Sequence, residues 1–137
     1  MFREMKRKNQ QLPEEECIRL LAELPRGVLS LLGDEGYPYG VPMDHYYSPE
    51  DGKLYFHCGK QGHKIDAIRS CSKASFCVMD EGFRKEGDWA LNIKSVIVFG
   101  RVEILGDADR AVEITRQLSL KYTADREFIE REIGSVV

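Results

Sequence analysis

The sequence predicts a mostly β domain, an antiparallel barrel flanked by peripheral helices. Short runs of β-branched and aromatic residues recur at hairpin spacing, turns rich in glycine, proline and aspartate separate them, and amphipathic stretches of helical period lie around them. The chain has 137 residues, of which 42% are hydrophobic, so it can bury one core without disulfides or metals. We therefore expect residues 1–137 to form a single domain.

The first half of the chain predicts one helix and three strands. Pro13 presets the backbone at a helix start, and the three glutamates that follow it complement the helix dipole. Residues 34–36 and 48–52 have the composition of turns and separate the strands. The predicted helix covers residues 13–24, and the predicted strands cover residues 28–32, 37–47 and 53–57.

The second half predicts further helices and strands. Asp107 is placed to cap a helix whose apolar stripe runs to Tyr122, and Gly100 suits a bulge or bend in a long strand. Residues 134–137 end in two valines and resemble the start of a strand. The predicted helices cover residues 62–69, 108–122 and 126–133, the predicted strands cover residues 74–79 and 89–105, and a polar loop over residues 80–88 joins these strands.

Pro42 interrupts the second predicted strand. Proline has no N–H to donate to a sheet ladder, so it belongs at an edge, at a bulge or where something other than a strand meets the backbone. Two interpretations stay open, an ordinary edge strand or a strand against which a planar ligand lies.

Residues 55–68 predict an anion site. A strand breaks at a glycine-rich turn and restarts as a helix with His63 and Lys64 in its first turn. Free N–H groups at the helix start, the close approach that Gly62 permits and the lysine charge together favour a phosphate. An ordinary strand–turn–helix junction with solvated side chains is the alternative.

Three segments carry a resemblance to a known family. They are residues 40–47 (GVPMDHYY), residues 55–68 with the YFH and GHK motifs, and residues 92–102 with the run SVIVFGRV. In this order they resemble the pyridoxamine 5′-phosphate oxidase-like, FMN-binding split-barrel superfamily, most closely its branch related to the 5-nitroimidazole-resistance flavoproteins. The resemblance spans about residues 5 to 120. Its members close their barrel with a further strand after this helix, so two interpretations stay open, a truncated chain or a last strand that is not represented in this sequence.

The resemblance implies FMN bound without a covalent bond at the interface of a homodimer. It places the isoalloxazine ring against the strand that contains Val41 and Pro42, and the phosphate at the helix start near Lys64. Ser95 has an alternative interpretation as a surface position on a half-exposed strand. The predicted cofactor-binding residues are Val41, Pro42, Met43, Asp44, His57, Gly62, His63, Lys64, Ser95 and Val96.

The same resemblance implies an FMN-dependent oxidoreductase that reduces a small electron-poor substrate, a nitroimidazole, another nitroaromatic or a quinone. His57 is the predicted catalytic residue, with a structural strand histidine as the alternative. NAD(P)H would bind only transiently, since no G-x-G-x-x-G fingerprint is present. The chain lacks the arginine-rich strand and the C-terminal segment of true pyridoxamine phosphate oxidases, so that activity is not expected. The alternative function is a non-catalytic module that stores flavin or binds heme, with His45 as a candidate heme ligand.

Composition argues against other classes of protein. Lys and Arg number 20 against 23 Asp and Glu, a net charge of −3 without a concentrated basic face, so nucleic acid is not an expected partner. No stretch approaches the roughly 20 apolar residues of a membrane span or resembles a signal peptide. Four cysteines without C-x-x-C spacing indicate reduced thiols in a cytoplasmic protein, and the histidines lack zinc-hydrolase spacing, so no metal is expected.

Overall fold

The computed structural model describes residues 2–59 and 61–136, without the side chains of Glu132 and of residues 134–136. The helices are α1 (Glu14–Glu23), α2 (His63–Ser70), α3 (Ala108–Tyr122) and α4 (Arg126–Val136). The strands are β1 (Arg26–Leu32), β2 (Pro38–Ser48), β3 (Lys53–Phe56), β4 (Lys73–Met79) and β5 (Ser95–Arg101). Two short 3-10 helices lie at Lys8–Gln10 and Asp34–Gly36.

The five strands form one antiparallel sheet in the order β3-β2-β1-β4-β5. Strand β1 is central and pairs with β2 along its whole length, from Arg26 opposite Asp44 to Leu32 opposite Pro38. Strands β3 and β5 are the two edges of this sheet. The sheet curls into a half-barrel with helices packed against it, which confirms the predicted fold class of a mostly β split barrel with peripheral helices.

The core lies on the inner face of the sheet. Along β1, alternate residues are buried and exposed, as expected for a sheet with one face packed and one face open. Helices α1, α2 and α3 all pack against the sheet, α1 on β2, β4 and β5, α2 on β1, and α3 on β2 and β3. The buried residues of this core are Leu20, Leu21, Leu29, Leu31, Met43, Ala67, Phe76, Val78 and Val96.

Gly27 allows the closest approach within the sheet. A Cβ at this position would overlap the ring of Phe76 and the carbonyl oxygen of Cys77, both on the neighbouring β4. Any side chain here would therefore displace the core ring or separate the two strands. The glycine is required by packing and not by an unusual backbone angle.

The region between β4 and β5 differs from the prediction of a strand over residues 89–105. Only residues 95–101 are a strand, while the preceding loop carries one isolated bridge between Phe83 and Asn92. The carboxylate of Asp80 closes the loop by accepting hydrogen bonds from the N–H groups of Gly82 and Lys94, at 3.0 and 2.9 Å. Apolar residues in this segment therefore gave a β-type pattern to a loop that side-chain hydrogen bonds hold in place.

The C-terminal prediction also needs correction. Residues 134–136 continue α4 in place of starting a strand, and Val137 lies outside the described residues. Helix α4 packs against α3, with Ile129 and Ile133 buried, so the apolar residues of this segment serve helix packing.

Candidate functional site

Strand β2 has two halves with different neighbours. Residues 45–48 pair with β3, whereas residues 38–44 pair only with β1 in the described part of the chain. If the β2–β3 ladder continued past His45 and Phe56, Pro42 would face Gly59, but proline has no N–H to share. The half that contains Pro42 is therefore an open sheet edge, which fits the edge interpretation of this proline and leaves its backbone accessible to a ligand.

The predicted anion site lies beside this open edge. Gly62 precedes α2 with φ of 125°, a conformation that favours glycine, and it has no side chain with which to cap the first helical N–H groups. The ring of His63 stacks on Tyr39 of β2, with centroids 4.0 Å apart, and its Nε2 lies 3.8 Å from the carboxylate of Asp34. The aromatic stack thus fixes the start of α2 against the open half of β2.

A cavity of about 950 Å³ lies between the two sheet edges, β3 and β5, and extends under α3. Its charged lining is mostly cationic, because one carboxylate, from Glu103, stands against four cationic side chains, those of Lys53, Lys64, Arg69 and Arg101. His57 lies on the same wall. Three of the predicted site residues, Met43, His57 and Lys64, line this cavity together. Its apolar and aromatic walls come from Leu29, Tyr55, Phe56, Phe76, Val98 and Leu118.

The predicted site residues fall on two faces of the sheet. Val41, Met43 and Val96 point to the inner face, where Met43 and Val96 are buried in the core. Pro42 and Asp44 lie on the outer face, where the carboxylate of Asp44 accepts from Arg26 at 2.8 Å. Ser95 lies on the same outer face, opposite Met79, and is exposed. One chain therefore does not bring all ten residues to a single point.

A hydrogen-bonded group fastens α3 across the end of the sheet. Arg110 of α3 donates to Asp51 in the β2–β3 turn at 3.0 Å, and the hydroxyl of Tyr55 donates to the same carboxylate. The hydrogen bond from Tyr55 is the main reason that the pKa of Asp51 falls to about 2, with Arg110 adding to the effect. These contacts set the position of α3 over the cavity.

His45 is buried and takes no part in lining the cavity. Its Nε2 lies 2.8 Å from the carbonyl oxygen of Leu21, so this nitrogen donates and is not available as a heme ligand in this conformation. Sequence reasoning missed that Lys121 and Tyr122 meet this histidine, because His45 lies 76 and 77 positions before them in the chain and Tyr122 fits the apolar stripe of α3. A lysine in the last turn of a helix was the only available signal.

Two other features, a metal site and a membrane-spanning helix, can be checked among the described residues. Among them, no group of three or more His, Cys, Asp or Glu side chains is arranged to hold a metal ion. No helix within the described ranges combines the length and apolarity required to cross a membrane.

Comparison with known proteins supports the architecture. Residues 13–134 match the family model described as pyridoxamine 5'-phosphate oxidase. No curated protein matches the chain significantly. A FAD-binding protein from Mesorhizobium loti is 28% identical, with a TM-score of 0.62 and coverage of 80% of this chain and 72% of that protein.

Two structures of lower sequence identity share the fold. A candidate 5-nitroimidazole antibiotic resistance protein from Bacteroides thetaiotaomicron is 19% identical, with a TM-score of 0.74 and coverage of 85% of this chain and 70% of that protein. A flavocytochrome from Azotobacter vinelandii is 18% identical, with a TM-score of 0.66 and coverage of 88% of this chain and 60% of that protein. The family resemblance inferred from the three sequence segments is confirmed, and the chain belongs to the pyridoxamine 5'-phosphate oxidase family.

Proposed function

We propose that this protein binds FMN, with the flavin ring along the open half of β2 and the phosphate at the start of α2. The observation that carries the proposal is the junction of these two parts, since the stack of His63 on Tyr39 fixes a helix start beside a strand edge with no second strand partner among the described residues. A helix start offers N–H groups to a phosphate, and a strand edge offers N–H and C=O groups to the pyrimidine edge of a flavin. The related Mesorhizobium protein is a FAD-binding protein, which supports a flavin as the class of ligand.

The residues present suit the phosphate. Gly62 carries no Cβ at the helix start, and no heavy atom lies within 4 Å of the place where one would be. His63 and Lys64 follow it in the first helical turn, and Lys64 adds a positive charge on the cavity side. A dianionic phosphate is the group that such a combination favours over a neutral ligand. The terminal phosphate of FMN meets this requirement, which is why we propose FMN in place of FAD.

The ring would be held mainly by backbone groups. Residues 41–44 offer N–H and C=O groups at the open edge, except that Pro42 has no N–H. The side chains of Val41 and Met43 point away from the outer face, so their contribution to the ring contact is their backbone. Asp44 keeps its carboxylate beside Arg26.

The proposed site needs a second copy of the chain. Ser95 and Val96 lie on β5, which is separated from β2 by β1 and β4, roughly 14 Å at ordinary strand spacing. A flavin at the open half of β2 would meet these two residues only if another protomer supplied them. We therefore propose a homodimer with FMN at its interface.

The outer face of the sheet supports the dimer. Ile97 and Phe99 of β5 are 59% and 58% exposed, and Met79 of β4 and Val28 of β1 are exposed beside them. A contiguous apolar surface of this kind on a sheet is typical of an interface. The second copy would cover it and supply the missing wall of the cofactor site.

The proposed reaction is reduction of a small electron-poor substrate, a nitroaromatic compound or a quinone. Bound flavin would supply the electrons, received from NAD(P)H that visits the site transiently. His57 lies on the cavity wall where the β2–β3 ladder ends, and an imidazole N–H at this place can donate the proton that the reduced substrate requires. Arg69 and Arg101 give the cavity a positive potential that favours an anionic or electron-rich product oxygen.

The first experiment is the absorption spectrum and FMN titration of the purified protein. We expect flavin bands, saturable binding and a dimer by analytical ultracentrifugation. Lys64→Glu should weaken FMN binding by about 100-fold, because attraction is replaced by repulsion at the phosphate. The control is Lys6→Glu, which makes the same charge change at an exposed residue of the N-terminal arm. Equal FMN affinity in the two variants would remove Lys64 from the site.

A second experiment separates catalysis from storage. Anaerobic turnover of a nitroaromatic compound with NAD(P)H would support the oxidoreductase. Flavin that binds stoichiometrically but is not reduced by NAD(P)H or reoxidised by any such substrate would indicate a non-catalytic flavin module. A Soret band in place of flavin bands would overturn the proposal in favour of heme.

A further inference from the structure

His45 of β2 is a buried histidine in a defined protonation state. It is 0% exposed, and its Nε2 lies 2.8 Å from the carbonyl oxygen of Leu21 at the end of α1. Because a carbonyl oxygen can only accept, Nε2 carries the proton in the neutral ring. Nδ1 is then unprotonated, and it has no hydrogen-bond partner within the described part of the chain. This nitrogen is a buried acceptor that acid would convert into a buried donor.

The last two residues of α3 meet at His45. The Lys121 ammonium donates to the carbonyl oxygens of His45 and Leu24, both at 2.8 Å. The Tyr122 hydroxyl lies 2.5 Å from the carbonyl oxygen of Pro25 and accepts from the N–H of His45 at 2.9 Å. These contacts join β2 to the end of α1 and to the end of α3, so one small cluster holds three elements together.

Protonation of His45 would conflict with its surroundings. The Lys121 ammonium lies 3.4 Å from Nε2, so an imidazolium would place two positive charges in contact inside the protein. Asp44 opposes this repulsion, but its carboxylate already faces Arg26 on the outer face. The groups that face or influence the cluster are Lys121 and Tyr122 from α3, Asp44 from β2, Arg26 from β1, the ring of Phe76 from β4 and main-chain carbonyls from α1.

The direction of the proton linkage follows from these contacts. Burial first, and then the Lys121 charge, lower the pKa of His45 from 6.5 to about 4. The folded state therefore binds fewer protons than the unfolded state between these two values. The stability contributed by neutral His45 is complete above about pH 6.5 and is lost as the pH falls toward about 4.

We propose that His45, Lys121 and Tyr122 form an acid-sensitive latch, which holds the ends of α1 and α3 on β2 and releases them when His45 is protonated. The latch itself depends only on the described contacts. Its functional consequence rests on the proposed function, since His45 directly follows, on the same strand, the open half of β2 that would bind flavin. Acid would then loosen that edge and release the cofactor.

The latch is tested by unfolding the flavin-free protein in urea between pH 7 and pH 4.5. The wild-type unfolding constant should rise on the order of 50- to 100-fold from this histidine alone. His45→Gln keeps a donor for the Leu21 carbonyl but cannot titrate, so it should lose that part of the pH dependence. Lys121→Met, which removes the repelling charge, should raise the pKa of folded His45 toward its unfolded value, so the unfolding constant should rise less between pH 7 and pH 4.5 than in wild type. The same pH dependence in all three proteins would overturn the latch.

A second measurement covers the case in which His45→Gln does not fold. Hydrogen exchange of the wild-type backbone at His45 and at residues 119–123 should accelerate in acid before the rest of the sheet does. Uniform acceleration across the sheet would contradict a local latch.

The coupling to flavin is measured separately, by the fluorescence of FMN released from the holoprotein as the pH falls. A weaker pH dependence of FMN release in Lys121→Met than in wild type, and a still weaker one in His45→Gln, would support the coupling. A protein that shows the unfolding pattern but binds no FMN would leave the latch in place and overturn the proposed function. Identical release profiles in all variants would overturn the coupling.

Discussion

The two halves of β2 differ in the strands that pair with them and in their burial. Residues 45–48 pair with β3, and they include the fully buried His45, whose backbone is hydrogen-bonded to Tyr122 of α3. Residues 38–44 pair with β1 alone, and Pro42 has no N–H to donate to a second strand. One strand thus combines a half that is hydrogen-bonded to neighbouring elements with a half whose edge is open. The comparison teaches that the accessible half can be held at a fixed position because the other half is fastened to two helices.

The largest expected effect concerns the strand that supports both halves. Gly27 of β1 lies opposite Met43, close to the boundary between the halves. Gly27→Ala should destabilise the protein by about 3 kcal/mol, since the new methyl group would overlap the Phe76 ring and the Cys77 carbonyl. Chemical denaturation measures this loss. Gly106→Ala is the matched control, since a Cβ there would meet no heavy atom within 4 Å, and equal losses in both variants would contradict the packing argument.

His57→Ala tests the chemical role of the residue that follows β3. We expect bound FMN and stability to persist while turnover falls by about 100-fold, the usual effect of losing a general acid. Stopped-flow reduction and reoxidation of the flavin locate the affected step, which should be reoxidation by the substrate. Loss of FMN with unchanged turnover per bound flavin would make His57 a cofactor-holding residue.

Tyr122→Phe should destabilise the protein through residues 45–48 of β2, the half that α3 contacts, and should leave the open half unchanged. Removing the hydroxyl leaves the His45 N–H and the Pro25 carbonyl without this partner, at a cost of about 2 kcal/mol. The acid transition of His45 should stay, because the imidazole and Lys121 are unchanged. The control is Tyr37→Phe, an exposed tyrosine immediately before the open half, and a similar loss in that variant would remove the distinction between the halves.

Pro42→Ala should have the smallest effect on stability, within about 0.5 kcal/mol, because the residue is exposed at a strand edge. Its consequence should instead appear as altered FMN affinity, since an additional N–H would face the proposed ligand edge. Unchanged affinity would indicate that the ring does not lie against this part of β2.

The sequence was sufficient for the elements that depend on local patterns. Pro13 and its glutamates predicted a helix start, and the apolar run at residues 28–32 predicted β1, although Val28 and Leu32 of that run are exposed. The loop before β5 was predicted incorrectly, because Leu91 and Ile93 satisfy a β pattern while the Asp80 carboxylate decides the backbone path. Local periodicity carries no information about such a hydrogen bond between a side chain and the backbone.

The candidate site was predictable only in part. The helix start at Gly62 and the edge at Pro42 are local features, and the sequence indicates both. The buried cluster of His45, Lys121 and Tyr122 depends on contacts between residues 76 or 77 positions apart. No local sequence motif predicts such contacts. The role of its members becomes visible only when the ends of α1 and α3 are seen to meet on β2.

The separation of β2 from β5 has a genetic consequence in the proposed dimer. If each flavin uses β2 of one protomer and β5 of the other, the integrity of a site is a shared property of two chains. A protomer damaged at Lys64 and a protomer damaged at Ser95 would each form homodimers with two impaired sites. Their mixed dimer would contain one site with both defects and one site with neither, so co-expression of two defective alleles would restore half of the sites in every mixed dimer.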